Sequence, residues 1–180
     1  LGDVYKRQST LSAIWASVGI GIVNVVFTVI SLYLVDRIGR RKLYFIGLSG
    51  IAFSVLCLSA CFIYANQLGE IGRWLMVIFM FGYVAFFAIS IGPLGWLVIS
   101  EIFPQKVRGL GTSIGSLAVW IFNCIVSFTF FKIIDFFSIP GTEIVVGQTT
   151  SENPAGAFFL YGFIAVLGLV WGYLLSLIHI

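Results

Sequence analysis

An all-α membrane protein is the fold class that this sequence predicts, and three observations predict it. Hydrophobic residues make up 60% of the chain and charged residues only 9%, where a soluble domain carries roughly 25% charged residues. The mean hydropathy is +1.10. Several apolar runs exceed the ~18–20 residues that cross a bilayer as a helix. The formal charge of +3 is too small to argue for nucleic acid. The partner that the composition demands is a lipid bilayer.

Five spans follow in order. The first runs from about Leu11 to Val35 and ends in DRIGRRK, where Asp36, Arg37, Arg40, Arg41 and Lys42 crowd together. The second runs from Leu43 to about Ala65, followed by the turn-like NQLGEIGR. The third starts at Trp74 and passes through a Gly-Pro pair to about Ser100, and the charged segment EIFPQKVR follows. The fourth covers Gly109 to about Phe131. A polar stretch from Asp135 to Asn153 forms the longest loop, and Pro154 opens the fifth span, at a first turn where its missing donor costs nothing. Lys and Arg concentrate on the first and third connections (Arg37, Arg40, Arg41, Lys42, Lys106, Arg108), against Arg73 and Lys132 on the second and fourth. The positive-inside rule therefore places the first and third connections in the cytoplasm and the long loop outside.

Both ends read as foreign. Asp3 to Gln8 (DVYKRQ) can be encoded by GAT GTG TAT AAG AGA CAG. The reverse complement of that DNA translates as LSLIHI, which is Leu175 to Ile180. The DNA resembles the end of a transposon used to fragment sequencing libraries. Residues 1–8 and 175–180 are therefore expected to be translated adapter and are set aside from fold reasoning. The genuine protein is expected to run from about Ser9 to Leu174, truncated at both ends. His179, the only histidine, then carries no chemistry.

The third span holds the most informative stretch, GPLGWLVISEIFPQKVRG from Gly92 to Gly109. Pro93 has no N–H and crowds the carbonyl four residues back, that of Ile89. In hydrocarbon that carbonyl needs a partner, so such breaks survive against protein or a water-lined cavity. Two other spans carry polar stripes. Asn24, Thr28 and Ser31 lie at i, i+4, i+7 on the first, along one helix face. Ser113, Ser116, Trp120, Asn123 and Ser127 repeat at three- and four-residue steps on the fourth. The second and fifth spans lack such stripes. The first, third and fourth spans are thus expected to line something polar, with the second and fifth shielding them from lipid. Interhelical hydrogen bonding is the alternative use of the same hydroxyls and amides. Gly111 with Gly115, and Gly168 with Gly172, are small-xxx-small pairs suited to close helix packing.

Enzymatic chemistry finds no foothold. No ionisable residue lies deep in any span; Glu101 sits at the membrane edge. A hydrolase needs a nucleophile with a base, or a metal with His and carboxylate ligands, and neither is present. Cys57, Cys61 and Cys124 lie in apolar runs, where thiols pack as small hydrophobes. Two thiols without a nearby histidine or carboxylate make a poor metal site. No metal and no cofactor is expected, and no proton relay of intramembrane acids is present. What remains suits a neutral, hydroxyl-rich solute. Amides both donate and accept, and aromatic faces meet CH groups while excluding water.

DRIGRR, GPLGW, SEIFPQKVRG and the Trp-x-x-Asn of VWIFN together resemble the sugar porter family of the major facilitator superfamily. GIVNVVFTVISLYLVDRIGRRKLYFIG resembles the eighth helix and following loop of facilitative glucose transporters. FFAISIGPLGW is similar to the tenth helix of bacterial proton-coupled xylose and galactose transporters. The resemblance is collinear over Ser9 to Leu174 and implies a major facilitator fold fragment, helices eight to twelve of twelve.

The resemblance also implies roles. Trp96 matches a tryptophan that contacts the sugar, Gly92 the glycine at the helix break, and Phe87 an aromatic lid. Asn24, Trp120 and Asn123 match further sugar partners. Arg37, Arg40 and Arg41 are expected to meet Glu101 in a cytoplasmic gate, with Asp36 and Arg108 completing the network. Two departures loosen any substrate assignment. Val119 stands where many members place Asn or Gln, and Ala88 where animal glucose carriers have glutamate. The implied function is transport of a hexose or pentose by alternating access, in the plasma membrane or a cell inner membrane. The implied partners are the sugar, the absent N-terminal half and, in the proton-coupled branch, a proton. A non-transporting sugar sensor, or a transporter of another polyol such as inositol, stays open.

Overall fold

The computed structural model describes residues 2–137, 144–146, 149–151 and 153–178, with side chains from 14 to 137 (residue 66 apart) and from 153 to 174. His179 and Ile180 lie outside the described residues, as do 138–143, 147, 148 and 152 of the long loop. The order is α1 (Gly2–Ile38), α2 (Arg40–Ile63), α3 (Ala65–Ile89), α4 (Ile91–Glu101), α5 (Arg108–Phe137), β1 (Ile144–Val146), β2 (Thr149–Ser151) and α6 (Ala155–Ile178). Helix therefore runs on into both end segments expected to be adapter. Among the described residues five stretches are long and apolar enough to cross a membrane, α3 and α4 together making one of 35 residues from Gln67 to Glu101.

The connections are tighter than charge placement suggests. α1 does not stop at Val35 but continues through Asp36 and Arg37 to Ile38, because a backbone ladder can run into the headgroup region where charges are solvated. A single residue, Gly39, then reverses the chain at φ 86°, a conformation in which a Cβ is strained. Its N–H still reaches the Val35 carbonyl at 3.2 Å, and its carbonyl accepts from Leu43 N–H at 3.2 Å. The segment NQLGEIGR, expected as a turn, is helical on both sides of Gly69, where φ 54° and ψ −126° concentrate the break. α5 likewise continues through Asp135, and the long loop carries an antiparallel hairpin pairing Ile144 with Ser151 and Val146 with Thr149.

The second span is not a lipid shield. Half of the apolar stretch of α2 is buried inside the bundle, against none of that of α5, and α2 packs on both α3 and α6. Small residues explain the inversion, since they let neighbouring backbones approach. A Cβ on Gly50 would overlap the Phe86 ring. On the α6 side, a Cβ on Gly172 would lie 2.9 Å from Tyr44, and one on Gly162 2.6 Å from Leu56. The Gly111 and Gly115 pair seats α5 on Phe103 and Ile99 in the same way.

At the end of the bundle away from the arginines, Asn153 closes α2 onto α6. Its side-chain oxygen accepts from Ala155 N–H at 3.0 Å, capping α6, while its amide nitrogen donates to the Phe62 carbonyl at 3.0 Å. That carbonyl belongs to the last turn of α2, so the bond ties the end of one helix to the start of another. Ser59 Oγ donates to Ala155 O at 2.8 Å, and the rings of Phe62 and Phe158 stack with centroids 5.4 Å apart. Replacing Asn153 by Ala in the full-length protein should lower folding stability by about 1–3 kcal/mol, the loss of a cap plus an interhelical hydrogen bond. A thermal melt of the detergent-solubilised protein checks it.

Candidate functional site

Helix α3 ends at Ser90, where φ −122° and ψ −87° break the ladder, and α4 starts at Ile91. The break thus falls two residues before Gly92 rather than at it. Pro93 leaves the Ile89 carbonyl without a helical donor, and the Ser31 hydroxyl of α1 donates to it at 2.5 Å. Ser90 is fully buried, and its own hydroxyl donates back to Phe86 O at 2.8 Å. A Cβ on Gly47 of α2 would overlap that hydroxyl, so α2 lies hard against the break. Leu94 N–H to Ser90 O at 3.0 Å restarts the helix immediately.

On the other side of the break, α1, α3, α4 and α5 enclose an open cleft of about 470 Å³ lined by Asn24, Thr28, Phe87, Gly92, Trp96 and Val119 among others. Four of the six residues expected to contact a solute, Asn24, Phe87, Gly92 and Trp96, therefore meet in one place. Gly92 allows it: a Cβ there would come within 3.2 Å of the Phe87 carbonyl and 3.3 Å of its ring. Thr28 Oγ1 donates to the Asn24 carbonyl at 2.7 Å, fixing the turn that presents Asn24. Among the described residues the Asn24 amide nitrogen has no protein acceptor. It is a donor available to a solute.

Trp120 and Asn123 do not join them. Both are exposed on α5, and Val119 is the residue α5 supplies to the cleft. Within the α5 stripe Ser113, Trp120 and Asn123 are exposed, Ser116 is half-buried and Ser127 reaches a second cavity, so sequence spacing found the face but not its neighbours. A second cavity, of about 770 Å³, lies between α1, α2, α3, α5 and α6 and is almost wholly apolar, with Tyr83, Tyr161 and Ser127 at its wall.

The charges sort differently from the expected network. Glu101, at the end of α4, pairs with Arg40 at the start of α2 through two hydrogen bonds, Nη1 to Oε2 and Nη2 to Oε1, the latter at 2.9 Å. This fork matches the planar geometry of guanidinium and carboxylate. Arg37 instead stacks over the Tyr33 ring, 4.5 Å from its centroid. Arg108 donates to the Phe103 carbonyl at 3.4 Å, bracing the turn before α5. Among the described residues Arg41 and Asp36 make no ion pair, and both are exposed. A six-residue network reduces to one forked pair with two local braces.

Both the sequence and the fold of this chain are shared with known proteins. Residues 4–177 match the family described as "Sugar (and other) transporter". The chain belongs to this family. It is 34% identical over 128 residues to the facilitated glucose transporter member 1 of Gallus gallus, covering 71% of this chain and 26% of the relative. The D-xylose transporter of Levilactobacillus brevis is 38% identical over 126 residues, 70% of this chain and 27% of the relative. The probable polyol transporter 3 of Arabidopsis thaliana is 30% identical over 169 residues, 91% of this chain and 30% of the relative. Among solved structures, the major facilitator proton:xylose symporter XylE bound to 6-bromo-6-deoxy-D-glucose superposes with TM-score 0.72 at 29% identity, over 91% of this chain and 32% of that one. The inward-open xylose transporter XylE from E. coli gives 0.67. This family member is thus a multi-pass integral membrane protein whose relatives are transporters rather than enzymes. It spans between a quarter and a third of the relatives it matches.

The Arg40–Glu101 fork yields a direct expectation. Glu101→Gln keeps the shape and removes the charge, so the end of α4 should loosen from α2. Labelling of a cysteine placed at Ser100, from the basic face, should rise several-fold, and the exchange Arg40→Glu with Glu101→Arg should bring it back down.

Proposed function

We propose that the full-length protein carrying this chain moves a sugar across the membrane by alternating access, and that the cleft beside Trp96 is this chain's share of the solute site. The observation that carries the reading is the convergence of Asn24, Phe87, Gly92 and Trp96 on one cleft at the helix break, in a family whose named members carry glucose and xylose. The ring faces of Trp96 and Phe87 suit the CH surface of a pyranose, and the amide of Asn24 suits its hydroxyls. Solute would lie between this bundle and a facing one, near the bilayer midplane, as transporter repeats arrange it. Trp120 and Asn123 would contribute only where α5 turns its exposed face to the same solute.

The fork between Arg40 and Glu101 gives the cycle its inner latch. With the pair formed, the tip of α4 is held on α2; with it parted, α4 is released at that face. A solute that binds one arrangement better shifts the population by its differential affinity. Among the described residues no carboxylate lines the cleft. A coupled proton, the driving ion of the xylose symporter it resembles, would therefore need an acid from outside this chain. A second reading, transport of a polyol, has support of its own: the polyol-transporter relative aligns over 91% of this chain.

Trp96→Ala in the full-length transporter should raise KM for its solute by about tenfold, equivalent to about 1.4 kcal/mol of lost stacking, with surface expression unchanged. Uptake competition among hexoses, pentoses and polyols, run on the parent and the variant, checks it. Unchanged kinetics in the variant would remove Trp96 from the site. Uptake that survives an uncoupler and ignores external pH would exclude proton coupling.

A further inference from the structure

We infer that Ser31 is a positioning residue: by holding the Ile89 carbonyl, it sets the angle at which α4 carries Trp96 into the cleft and Glu101 to Arg40. Ser31 does not line the cleft, and it acts through α4. The inference rests on the reading of that cleft as the solute site only for its effect on uptake.

At the break the Ile89 carbonyl is met from outside its own helix. Ser90 N–H bonds the Phe87 carbonyl at 3.2 Å and Leu94 N–H bonds Ser90 O at 3.0 Å, so neither of these backbone donors is free for Ile89 O. The donor that an unbroken helix would offer to Ile89 O is the N–H of residue 93, which is proline. The nearest hydroxyl in sequence, that of Ser90, is already given to Phe86 O at 2.8 Å. Ser31 Oγ, fully buried, supplies the missing donor at 2.5 Å. An unmet carbonyl in this setting is costly, so without Ser31 the break must change its angle to find another donor or admit water.

The contact is also well placed to transmit a bend. α4 is 11 residues long, so a small rotation at its first turn displaces its tip, where Glu101 sits. The same α1 face bears Asn24 and Thr28 on the cleft, with Thr28 Oγ1 bonded to the Asn24 carbonyl. One helix face thus presents the amide of the site at one level and fixes the break at the next. α2 closes the third side, since nothing larger than glycine fits at position 47 against Ser90.

The test uses the full-length transporter with Cys124 replaced by serine and a reporter cysteine at Gly95, where an added Cβ meets nothing within 4 Å. Labelling of that cysteine by a small thiol reagent reads the pose of α4 without any sugar. Ser31→Ala should change the labelling rate several-fold and raise KM more than it lowers kcat, and Ser31→Thr should restore both. Pro93→Ala returns an N–H to the Ile89 carbonyl, so in that background Ser31→Ala should leave labelling unchanged. Ser31→Ala that alters yield alone, with labelling at the parent rate, overturns the inference. So does a Ser31→Ala effect, or a loss from the membrane, that is as large with Pro93→Ala as without it. Should Trp96→Ala prove silent in uptake while labelling still follows Ser31 and Pro93, the solute site is what fails, and the positioning role stands.

Discussion

One carbonyl oxygen, that of Ile89, constrains the rest of this structure. Proline takes away its donor, and the surrounding bilayer offers none, so a neighbouring helix must approach closely enough to supply one. Ser31 does so at 2.5 Å. For that contact to exist, α1 has to run alongside the break, and α2 has to be slim enough at Gly47 to let Ser90 sit against it. The cleft is the other face of the same arrangement. A helix bent at Ser90 turns Phe87, Gly92 and Trp96 toward the side that Asn24 and Thr28 also line, and a straight helix would leave no such concavity.

The two ends of the bundle are fastened by different chemistry. At the basic end the tie is a forked ion pair with about half of each side chain exposed, 52% and 47%. Water competes for both partners there, which makes the contact easy to part. At the other end the tie is an asparagine only 2% exposed, bonded to a helix start and a helix end together. Breaking it costs a buried helix cap and an interhelical bond together. A bundle built this way is tied loosely at one end and tightly at the other. That asymmetry arises from solvent access rather than from the number of bonds.

Much of this was legible in the sequence because hydrocarbon is a strict solvent. Span number and the orphaned Ile89 carbonyl follow from what a bilayer does not tolerate, whereas the grouping of Asn24 with Trp96 comes from the resemblance of their motifs to a known family. The misreadings have a common origin in neighbours that sequence does not name. Periodicity placed Ser31 on a polar face with Asn24, but only the packed helices show that it looks at a carbonyl rather than at the cleft. The lack of a stripe on α2 read as lipid exposure, whereas its glycines and serines are the marks of a central helix. Three arginines are expected at Glu101, yet nothing in the sequence singles out Arg40 as the one that pairs with it while Arg37 turns to Tyr33. Asn153 carried a readable signal, a capping residue directly before a helix-opening proline; its second bond, to Phe62, did not.

The junction at Gly39 adds a mechanical consequence. Two long helices meet there through one residue in a left-handed conformation, its N–H bonded to Val35 O on α1 and its carbonyl accepting from Leu43 N–H on α2. A joint of one residue keeps the start of α2 close to the end of α1, with Arg40 about two and a half helical turns along the chain from Ser31. The residues between Glu101 and Arg108, where no helix runs, are the compliant element on the same face. The basic face therefore sets a one-residue joint between α1 and α2 beside a six-residue connection between α4 and α5.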